Sequence, residues 1–265
     1  MNALEISQLS KTYVDSYSGE EVTAVGDVSF GVAEGEFVSV LGPSGCGKTT
    51  VLNIVAGFVR GTGGSVVVDG KPVERPGPDR GVVFQGHALF PWKTVLGNVV
   101  FGLRIRGVPR AERTARGLEF LDLVGLRGFE GKYPHELSGG MQQRLGVARV
   151  LANEPALMLM DEPFASIDAQ TRRKLQEDLT AIVEQQHPTV FFVTHDVDEA
   201  VFLSDRIVVL SGRPSRVREI VEVALPRPRT WRTTVELPEF RATANRVNEL
   251  LAGDEDHAHA VDASS

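Results

Sequence analysis

The sequence predicts an α/β fold built around a parallel β-sheet, and three observations support this prediction. Residues 36–41 form an apolar, β-rich run that is followed by a glycine-rich turn and a helix pattern. A continuous apolar run at 156–160 and a second predicted buried strand at 188–194 have the length of strands. From about residue 95 to 150, between these runs, helical periodicity dominates. Strands that alternate with helices are typical of a parallel sheet covered by helices.

The chain begins with two strand patterns that predict an antiparallel β subdomain. Residues 4–9 alternate apolar and polar side chains, as a half-buried strand does. Residues 15–21 are polar and contain glycine, which predicts a hairpin-like loop, and residues 25–32 form the second strand pattern. Tyr13 lies between the two patterns. An aromatic ring there can stack on a nucleotide base, although packing is the commoner role of such a residue.

Residues 42–49 match the phosphate-loop pattern G-x-x-x-x-G-K-[ST] at every fixed position. The preceding strand and a helix at 50–56, closed by Gly57, supply the context that this motif requires. The glycines let backbone N–H groups surround phosphate oxygens, and the helix N-terminus adds a positive dipole. Lys48 can neutralise the β- and γ-phosphates, and the Thr49 hydroxyl can ligate Mg²⁺. The predicted nucleotide-binding residues here are Gly42, Pro43, Ser44, Gly45, Cys46, Gly47, Lys48, Thr49 and Thr50.

A second polar position follows another predicted strand. The Asp69-Gly70 pair predicts a hairpin after a strand at 65–68. Residues 81–84 then form a buried strand that ends at Gln85. Because polar side chains at the carboxyl ends of parallel strands face the ligand crevice, Gln85 is a candidate site residue, although alone it would be only a loop residue.

The helical stretch contains a second candidate anion site. Residues 111–124 carry apolar side chains at helical spacing, and this helix pattern breaks at 133–136. The run Leu-Ser-Gly-Gly-Met-Gln-Gln-Arg follows at 137–144. Ser138 is a good N-cap with two glycines behind it, so backbone N–H groups are exposed there.

Two carboxylates end the apolar run at 156–160. In a phosphate-loop protein, Asp161 can hold Mg²⁺, usually through water, and Glu162 can orient or deprotonate the attacking water. An acidic turn without a catalytic role is the common alternative. The next buried strand, at 188–194, ends at His195.

The remaining sequence predicts that the main domain ends near residue 225. Helices are predicted at 172–184 and 197–203, and a strand at 206–210. After residue 225 the chain is rich in Pro and Arg, with one helix pattern near 240–251. The predicted division is one main domain over 1–225, a short C-terminal extension over 226–252 and a disordered acidic tail over 253–265.

The composition excludes several functional classes. The 28 Lys and Arg against 35 Asp and Glu give a formal charge of −7, which argues against a broad nucleic-acid-binding surface. No apolar run approaches the ~18 residues of a membrane span, and the N-terminus lacks the pattern of a signal peptide. We therefore expect a soluble, cytoplasmic chain with no nucleic-acid partner. Cys46 is the only cysteine, which rules out an internal disulfide. Its place in the phosphate loop predicts a reactive thiol, with an inert loop residue as the alternative.

Together and in this order, these motifs resemble the nucleotide-binding subunits of ABC transporters. Residues 137–144 resemble the signature motif of that family, and the distance from this motif to Asp161 also fits. The resemblance covers residues 4 to about 225. It implies a phosphate-loop NTPase with a RecA-like parallel-sheet core, an antiparallel β subdomain and a helical subdomain at about 87–150.

The resemblance implies a role for each motif, with ATP and Mg²⁺ as cofactors. Tyr13 would stack on adenine, and Thr49, Gln85 and Asp161 would form the Mg²⁺ site. The implied catalytic residues are Lys48, Glu162 as the base and His195 as the switch histidine at the γ-phosphate.

The resemblance also implies a head-to-tail dimer with two ATP molecules between the subunits. Residues 165–168 resemble the D-loop, which includes Asp168, and Ser166-Ile167 departs mildly from the commoner Ala-Leu. The residues implied to contact ATP held by the other subunit are Leu137, Ser138, Gly139, Gly140 and Gln142.

One segment indicates a subfamily within this family. Residues 84–92, which end in Phe90-Pro91-Trp92, resemble the importer subfamily for nitrate, sulfonate and taurine. Residues 54–59 and 80–85 resemble taurine importers most. The resemblance implies an ATPase at the cytoplasmic face of the membrane that drives solute import. Its partners would be permease subunits, which the segment around Trp92 would contact, and indirectly an extracytoplasmic solute-binding protein.

Two alternatives differ in class. A soluble ABC-type ATPase of DNA repair or translation usually has two ATPase domains or a long coiled-coil insertion, and this sequence predicts neither. An exporter subunit is disfavoured by the Pro91-Trp92 segment, though only by resemblance. The sequence does not indicate the solute, because such a subunit contacts the permease and not the cargo.

Overall fold

The computed structural model describes residues 2–15, 18–84, 88–165 and 167–253. These residues form ten strands: β1 (Asn2–Val14), β2 (Glu21–Ala33), β3 (Phe37–Leu41), β4 (Gly63–Val68), β5 (Lys71–Pro72), β6 (Arg80–Val83), β7 (Leu157–Asp161), β8 (Val190–Val193), β9 (Arg206–Leu210) and β10 (Ser215–Glu222). All ten belong to one sheet with the order β5-β4-β1-β2-β10-β9-β3-β8-β7-β6. The α/β fold predicted from the apolar runs is confirmed.

The described residues also form nine α-helices: α1 (Lys48–Ala56), α2 (Val95–Val99), α3 (Phe101–Ile105), α4 (Arg110–Leu123), α5 (Gly139–Leu151), α6 (Ala169–Gln186), α7 (Val197–Leu203), α8 (Trp231–Thr234) and α9 (Pro238–Ala252). A short 3-10 turn, Pro134–Glu136, separates the α4 region from α5. None of the helices in the described ranges is long and apolar enough to cross a bilayer.

The parallel half of the sheet contains β9, β3, β8, β7 and β6. Side chains on successive residues of a strand point to opposite faces, and both faces are buried here. In β7, Leu157 and Leu159 pack with α1 and the antiparallel strands, whereas Met158 and Met160 pack with α5, α6 and α7. The continuous apolar runs of the sequence follow from this two-sided burial.

The antiparallel half contains β1, β2, β4 and β5. β10 joins the two halves, because it runs parallel to β2 and antiparallel to β9. The sequence analysis did not identify β10. Its charged residues Arg216, Arg218 and Glu219 interrupt the alternation that marks a half-buried strand.

The C-terminal segment packs against the core. Phe240 and Val247 of α9 are buried in the same hydrophobic cluster as the parallel strands. The ring of Trp231 stacks on Phe202 with 4.2 Å between centroids. The buried guanidinium of Arg229 donates hydrogen bonds to the backbone oxygens of Phe202 and Ser204, at 3.0 and 2.8 Å. Burial, followed by the charge of neighbouring Arg227, lowers the pKa of Arg229 to about 10, so its guanidinium stays charged at neutral pH.

Candidate functional site

The phosphate loop connects the end of β3 to the start of α1. Gly45 and Gly47 have φ values of 74° and 108°, which residues with a Cβ rarely adopt. A Cβ on Gly47 would also lie 3.0 Å from the backbone oxygen of Ala24. The loop therefore requires glycine at Gly47 for two reasons, and its backbone curves around the N-terminus of α1 as an anion nest does.

Lys48 is only 7% exposed, and its ammonium points back into the loop. Nζ donates to the backbone oxygens of Gly42 at 2.7 Å and Pro43 at 3.0 Å. A lysine that satisfies its donors on two carbonyls can exchange them for phosphate oxygens at little cost in desolvation.

Arg213 holds this loop directly, and Ser215 holds the strand against which Gly47 packs; the sequence analysis identified neither contact. The guanidinium of Arg213 donates to the backbone oxygen of Gly45 through NH2 at 2.8 Å and Nε at 3.2 Å. The buried Ser215 hydroxyl donates to the backbone oxygen of Ala24 at 3.3 Å. No local sequence pattern indicates such contacts, since Arg213 and Gly45 are 168 residues apart.

Cys46 departs from its prediction. Its side chain is 1% exposed, and a Cβ on Gly42 would lie 2.7 Å from its sulfur. A reactive thiolate needs access as well as a positive environment. The prediction of a readily labelled thiol is therefore wrong for this conformation, and Cys46 is a packed residue of the loop.

Thr49 and Asp161 meet at the end of β7. The Thr49 hydroxyl donates to Oδ1 of Asp161 at 3.2 Å. Burial is the main cause that raises the pKa of Asp161, the charge of Glu162 adds to it, and Thr49 and Lys48 oppose it. A buried carboxylate whose charged form is disfavoured gains from a nearby cation.

The donor set fits Mg²⁺. A hydroxyl and a carboxylate at this edge of the loop are hard oxygen ligands, and Mg²⁺ usually takes one or two protein ligands beside water and phosphate. The described residues contain no group of three or more His, Cys, Asp or Glu that could hold a metal by themselves.

Glu162 and His195 form the next contact along this edge of the sheet. Nδ1 of His195 lies 3.2 Å from Oε2 of Glu162, and the two side chains are 61% and 26% exposed. Glu162 has a φ of 43°, outside the range that residues other than glycine prefer. Its backbone N–H donates to the oxygen of Val193 at 2.9 Å, which fixes this turn to β8.

A buried carboxylate beneath the His195 loop was not predicted. Glu199 is 4% exposed and accepts hydrogen bonds from Gln176 at 2.6 Å and from the Thr194 hydroxyl. Burial raises the pKa of Glu199 to about 7, and the charge of Asp196 adds to that shift, while Thr194, Gln176 and Arg172 oppose it. A charged residue followed by the apolar run 200–203 could have indicated burial.

The signature residues lie at the N-terminus of α5. Ser138 is the N-cap, and its hydroxyl accepts from the Met141 N–H at 3.3 Å, as predicted. Gln142 donates to the backbone oxygens of Pro134 and Leu137 at 3.0 and 3.2 Å, which holds the preceding turn. The remaining residues of this motif differ in burial: Leu137 and Gly140 are buried and Gly139 is exposed.

Three other predicted residues have different outcomes. Tyr13 is 42% exposed on β1, with the Lys11 ammonium 4.9 Å from its ring centroid. Asp168 caps α6, and its carboxylate accepts from the Thr171 N–H at 3.0 Å. That hydrogen bond is the main cause that lowers the pKa of Asp168. Gln85, predicted for Mg²⁺ and ATP, lies outside the described residues, as do Ser166 and the tail from residue 254.

An apolar groove of about 430 Å³ lies between β6 and the helices of the 95–150 region. Its lining includes Phe84, Phe90, Phe101 and Ile105. The rings of Phe90 and Phe101 are 4.5 Å apart, and Trp92 follows at 5.9 Å from Phe90 with 71% of its surface exposed. Trp92 is therefore not a core residue.

Comparison with known proteins identifies the family to which this chain is similar. The family model described as ABC transporter matches residues 25–165. The chain is 54% identical over 238 residues to an uncharacterised ABC transporter ATP-binding protein of Methanocaldococcus jannaschii, covering 90% of this chain and 88% of that protein. It is 44% identical over 259 residues to a taurine import ATP-binding protein of Rhizobium johnstonii, covering 96% and 98%.

A solved structure supports the same family. A dimeric ATP-binding cassette in a post-hydrolysis state, bound to ADP and Pi, matches with a TM-score of 0.70 at 34% identity. The match covers 83% of this chain and 98% of that chain. The fold of this chain therefore agrees with that of an ATP-binding cassette.

Proposed function

The chain belongs to the ABC transporter family as an ATP-binding subunit of the importer type, and from this premise we propose that it drives solute import through a membrane permease. Members of this family bind and hydrolyse ATP. One observation carries the proposal for this chain: Lys48, His195 and Glu162 follow β3, β8 and β7, which are neighbours in the parallel sheet. Carboxyl ends of adjacent parallel strands form the ligand crevice of such sheets.

We propose the following roles at that edge. The phosphate loop holds the phosphates with its backbone N–H groups, and Lys48 turns from its two carbonyls to the β- and γ-phosphate oxygens. Glu162 accepts the proton of the attacking water, and His195, in contact with Glu162, holds that carboxylate toward the γ-phosphate. Mg²⁺, when bound, would offset phosphate charge, with Thr49 and Asp161 as its protein ligands. Tyr13 stacks on the adenine and Gln85 contributes beside the metal.

We further propose that ATP is shared between two copies of this chain. Ser138 begins α5 with free backbone N–H groups behind it, which suits a phosphate. The dimeric cassette bound to ADP and Pi supports a dimeric arrangement in the family. In a head-to-tail dimer, the residues of one copy from Leu137 to Gln142 would reach the nucleotide on the phosphate loop of the other.

The apolar groove is the proposed permease site. Apolar grooves of this size accept a helix or loop through a few aromatic anchors. Phe90 and Phe101 line the groove, and the exposed ring of Trp92 lies 5.9 Å from that of Phe90. The segment that contains Phe90 and Trp92 follows β6 and Gln85 in the sequence. ATP at the metal site would thus act on the surface that meets the permease.

The solute proposal rests on relatives alone. The similarity to a taurine import protein over almost the full chain supports taurine or a related sulfonate as the cargo. The resemblance of residues 84–92 extends the proposal to nitrate. The location that follows is the cytoplasmic face of the membrane, with a solute-binding protein on the other side.

One experiment tests the whole proposal. A tagged chain should co-purify with an integral membrane permease from detergent extracts, and cells should take up labelled taurine only with the intact chain. The Glu162→Gln variant should co-purify equally but support no uptake. Purification without any membrane protein would contradict the importer assignment. Uptake of a different anion would change only the proposed solute and would leave the importer assignment in place.

A further inference from the structure

The segment from Lys93 to Arg116 has an unusual charge. It contains six Lys or Arg and one acidic residue, Glu112, although the whole chain has a formal charge of −7. A run of charge is ordinarily a solvated face with no ligand. The arrangement of these side chains in space shows whether they form such a solvated face or an anion-binding site.

Four of the cations converge on one depression, which we call the basic hollow. Lys93, Arg104, Arg110 and Arg113 line about 230 Å³ between α2, α3 and the start of α4. Its remaining lining is neutral: Thr94, Leu96, Gly97, Val100, Phe101 and Thr114. Four positive charges around a depression without a carboxylate attract anions more strongly than a solvated face does.

The cations of the basic hollow are not neutralised within the described parts of the chain. Arg116 pairs with Glu154, but none of the other four, nor Arg106, forms an ion pair with a described residue. Arg113 donates to the backbone oxygen of Val108 at 2.8 Å, and Lys93 lies 4.8 Å from the centroid of Phe101. These contacts fix two of the side chains and leave their charge available.

Exposed apolar side chains lie beside the basic hollow. Trp92 is 71% exposed and Ile105 is 70% exposed. Trp92 connects to the hollow through Phe90 and Phe101, whose ring Lys93 covers. Tryptophan next to Lys and Arg is typical of surfaces at the water–bilayer interface, where cations meet phosphates and the indole meets the acyl boundary.

We propose that the basic hollow binds the phosphate of anionic phospholipid headgroups on the leaflet that surrounds the permease. This rests on the proposed function, which brings the groove beside the hollow to a membrane protein. Headgroup binding would add to permease binding by the groove, and it would orient the subunit toward the bilayer. Each Lys or Arg near an anionic surface strengthens such binding several-fold.

Vesicle binding by the full chain tests the proposal. The wild type should sediment with vesicles of phosphatidylcholine and phosphatidylglycerol in equal parts, and not with phosphatidylcholine alone. Arg104→Gln combined with Arg110→Gln should weaken this binding about 30-fold. Both side chains are exposed, so the fold should persist. The matched control, Arg232→Gln with Arg241→Gln, removes two exposed charges from the C-terminal segment and should bind like the wild type.

Four outcomes would overturn the proposal. The first is no wild-type binding to the anionic vesicles, and the second is equal weakening by both double variants. In the third, glycerol phosphate in solution binds the hollow as tightly as the vesicles do, which assigns the hollow to a free anion. An acidic protein partner is indicated instead if the hollow variant loses the permease in lipid-free detergent but keeps vesicle binding. ATP hydrolysis and permease co-purification by the wild type report on the proposed function separately.

Discussion

His195 and Glu162 directly follow two neighbouring parallel strands, and their side chains meet with 3.2 Å between Nδ1 and Oε2. The contact joins the segment after β8 to the turn after β7. In that turn, Glu162 has a positive φ, and its carboxylate contacts His195. The proposed base and the group proposed to orient it are therefore positioned by the ends of two paired strands.

We expect Glu162→Gln to abolish turnover and to spare ATP binding. The amide keeps the shape of the side chain and can accept from His195, but it cannot take a proton. Loss of a general base costs about 10²–10⁴-fold in rate. Single-turnover hydrolysis measures the effect, and binding of a fluorescent ATP analogue is the control. Near-normal hydrolysis would remove Glu162 from the role of base.

Thr49→Val should raise the Mg²⁺ concentration needed for half-maximal hydrolysis by about tenfold or more. The variant keeps the branched shape but loses the hydroxyl that lies 3.2 Å from Asp161. Thr49→Ser keeps the hydroxyl and serves as the matched control, so its Mg²⁺ titration should resemble that of the wild type. Identical titrations for the valine and serine variants would exclude Thr49 as a ligand.

Hydrolysis should be shared between two copies. A Lys48→Ala chain mixed with a Ser138→Arg chain forms one interface with both lesions and one with neither, whereas each variant alone spoils both interfaces. We expect the mixture to recover part of the activity that each variant lacks, measured with the permease present. A mixture as inactive as its components means that the geometry is not shared or that both interfaces must be intact. Cross-linking from position 138 to the phosphate loop separates these two cases.

Glu199 should make the protein less stable as the pH rises from about 5 to 7. Its pKa is about 7 in the folded chain against 4.5 ordinarily, so the folded state retains a proton that the unfolded state releases in this interval. The loss approaches about 3 kcal/mol above pH 7. Glu199→Gln cannot ionise, so it should not lose this stability. The free energy of unfolding of the variant, relative to that of the wild type, should therefore increase as the pH rises over the same interval.

Urea unfolding at pH 5 and pH 7.5 measures this difference. Glu119→Gln, an exposed change on α4, is the matched control and should follow the wild type. Parallel pH profiles for Glu199→Gln and the wild type would show that Glu199 is ionised throughout the interval.

Trp92→Ala should weaken permease binding about 30-fold and leave folding and ATP binding intact. The indole is 71% exposed, so its loss removes little packing, and the change in the free energy of unfolding should stay within about 0.5 kcal/mol. Leu118→Ala, another exposed apolar change, controls for a general effect on solubility. Unchanged permease binding would place the coupling surface elsewhere.

Burial explains which strands the sequence could predict. β3, β7 and β8 are buried on both faces, so each consists mostly of apolar residues and can be predicted without knowledge of its packing partners. β10 and α8 were not predicted, because β10 is only half-buried and carries charges, and α8 has only four residues. Local patterns do not contain the packing partners that stabilise such elements.

The same reasoning separates the site residues. Lys48, Thr49 and Ser138 stand in motifs whose spacing is set by contacts within one turn, so their local geometry could be predicted. Arg213 and Glu199 act on loops brought near by the fold, and the sequence analysis missed both. The exposure of Cys46 was misjudged for a similar reason, because its cover depends on how closely the loop packs on itself.

The packing of the C-terminal segment on α7 has a mechanical consequence. α7 has seven residues, a rod of about 10 Å, with His195 just before its first turn and Phe202 in its last. Trp231 stacks on Phe202 in that last turn, and Arg229 donates a hydrogen bond to the backbone oxygen of Phe202. The C-terminal segment and His195 therefore contact or adjoin opposite ends of the same short helix. We expect a force or a binding event at the C-terminal segment to reach, through this helix, the edge where ATP is proposed to bind, without any contact with the nucleotide.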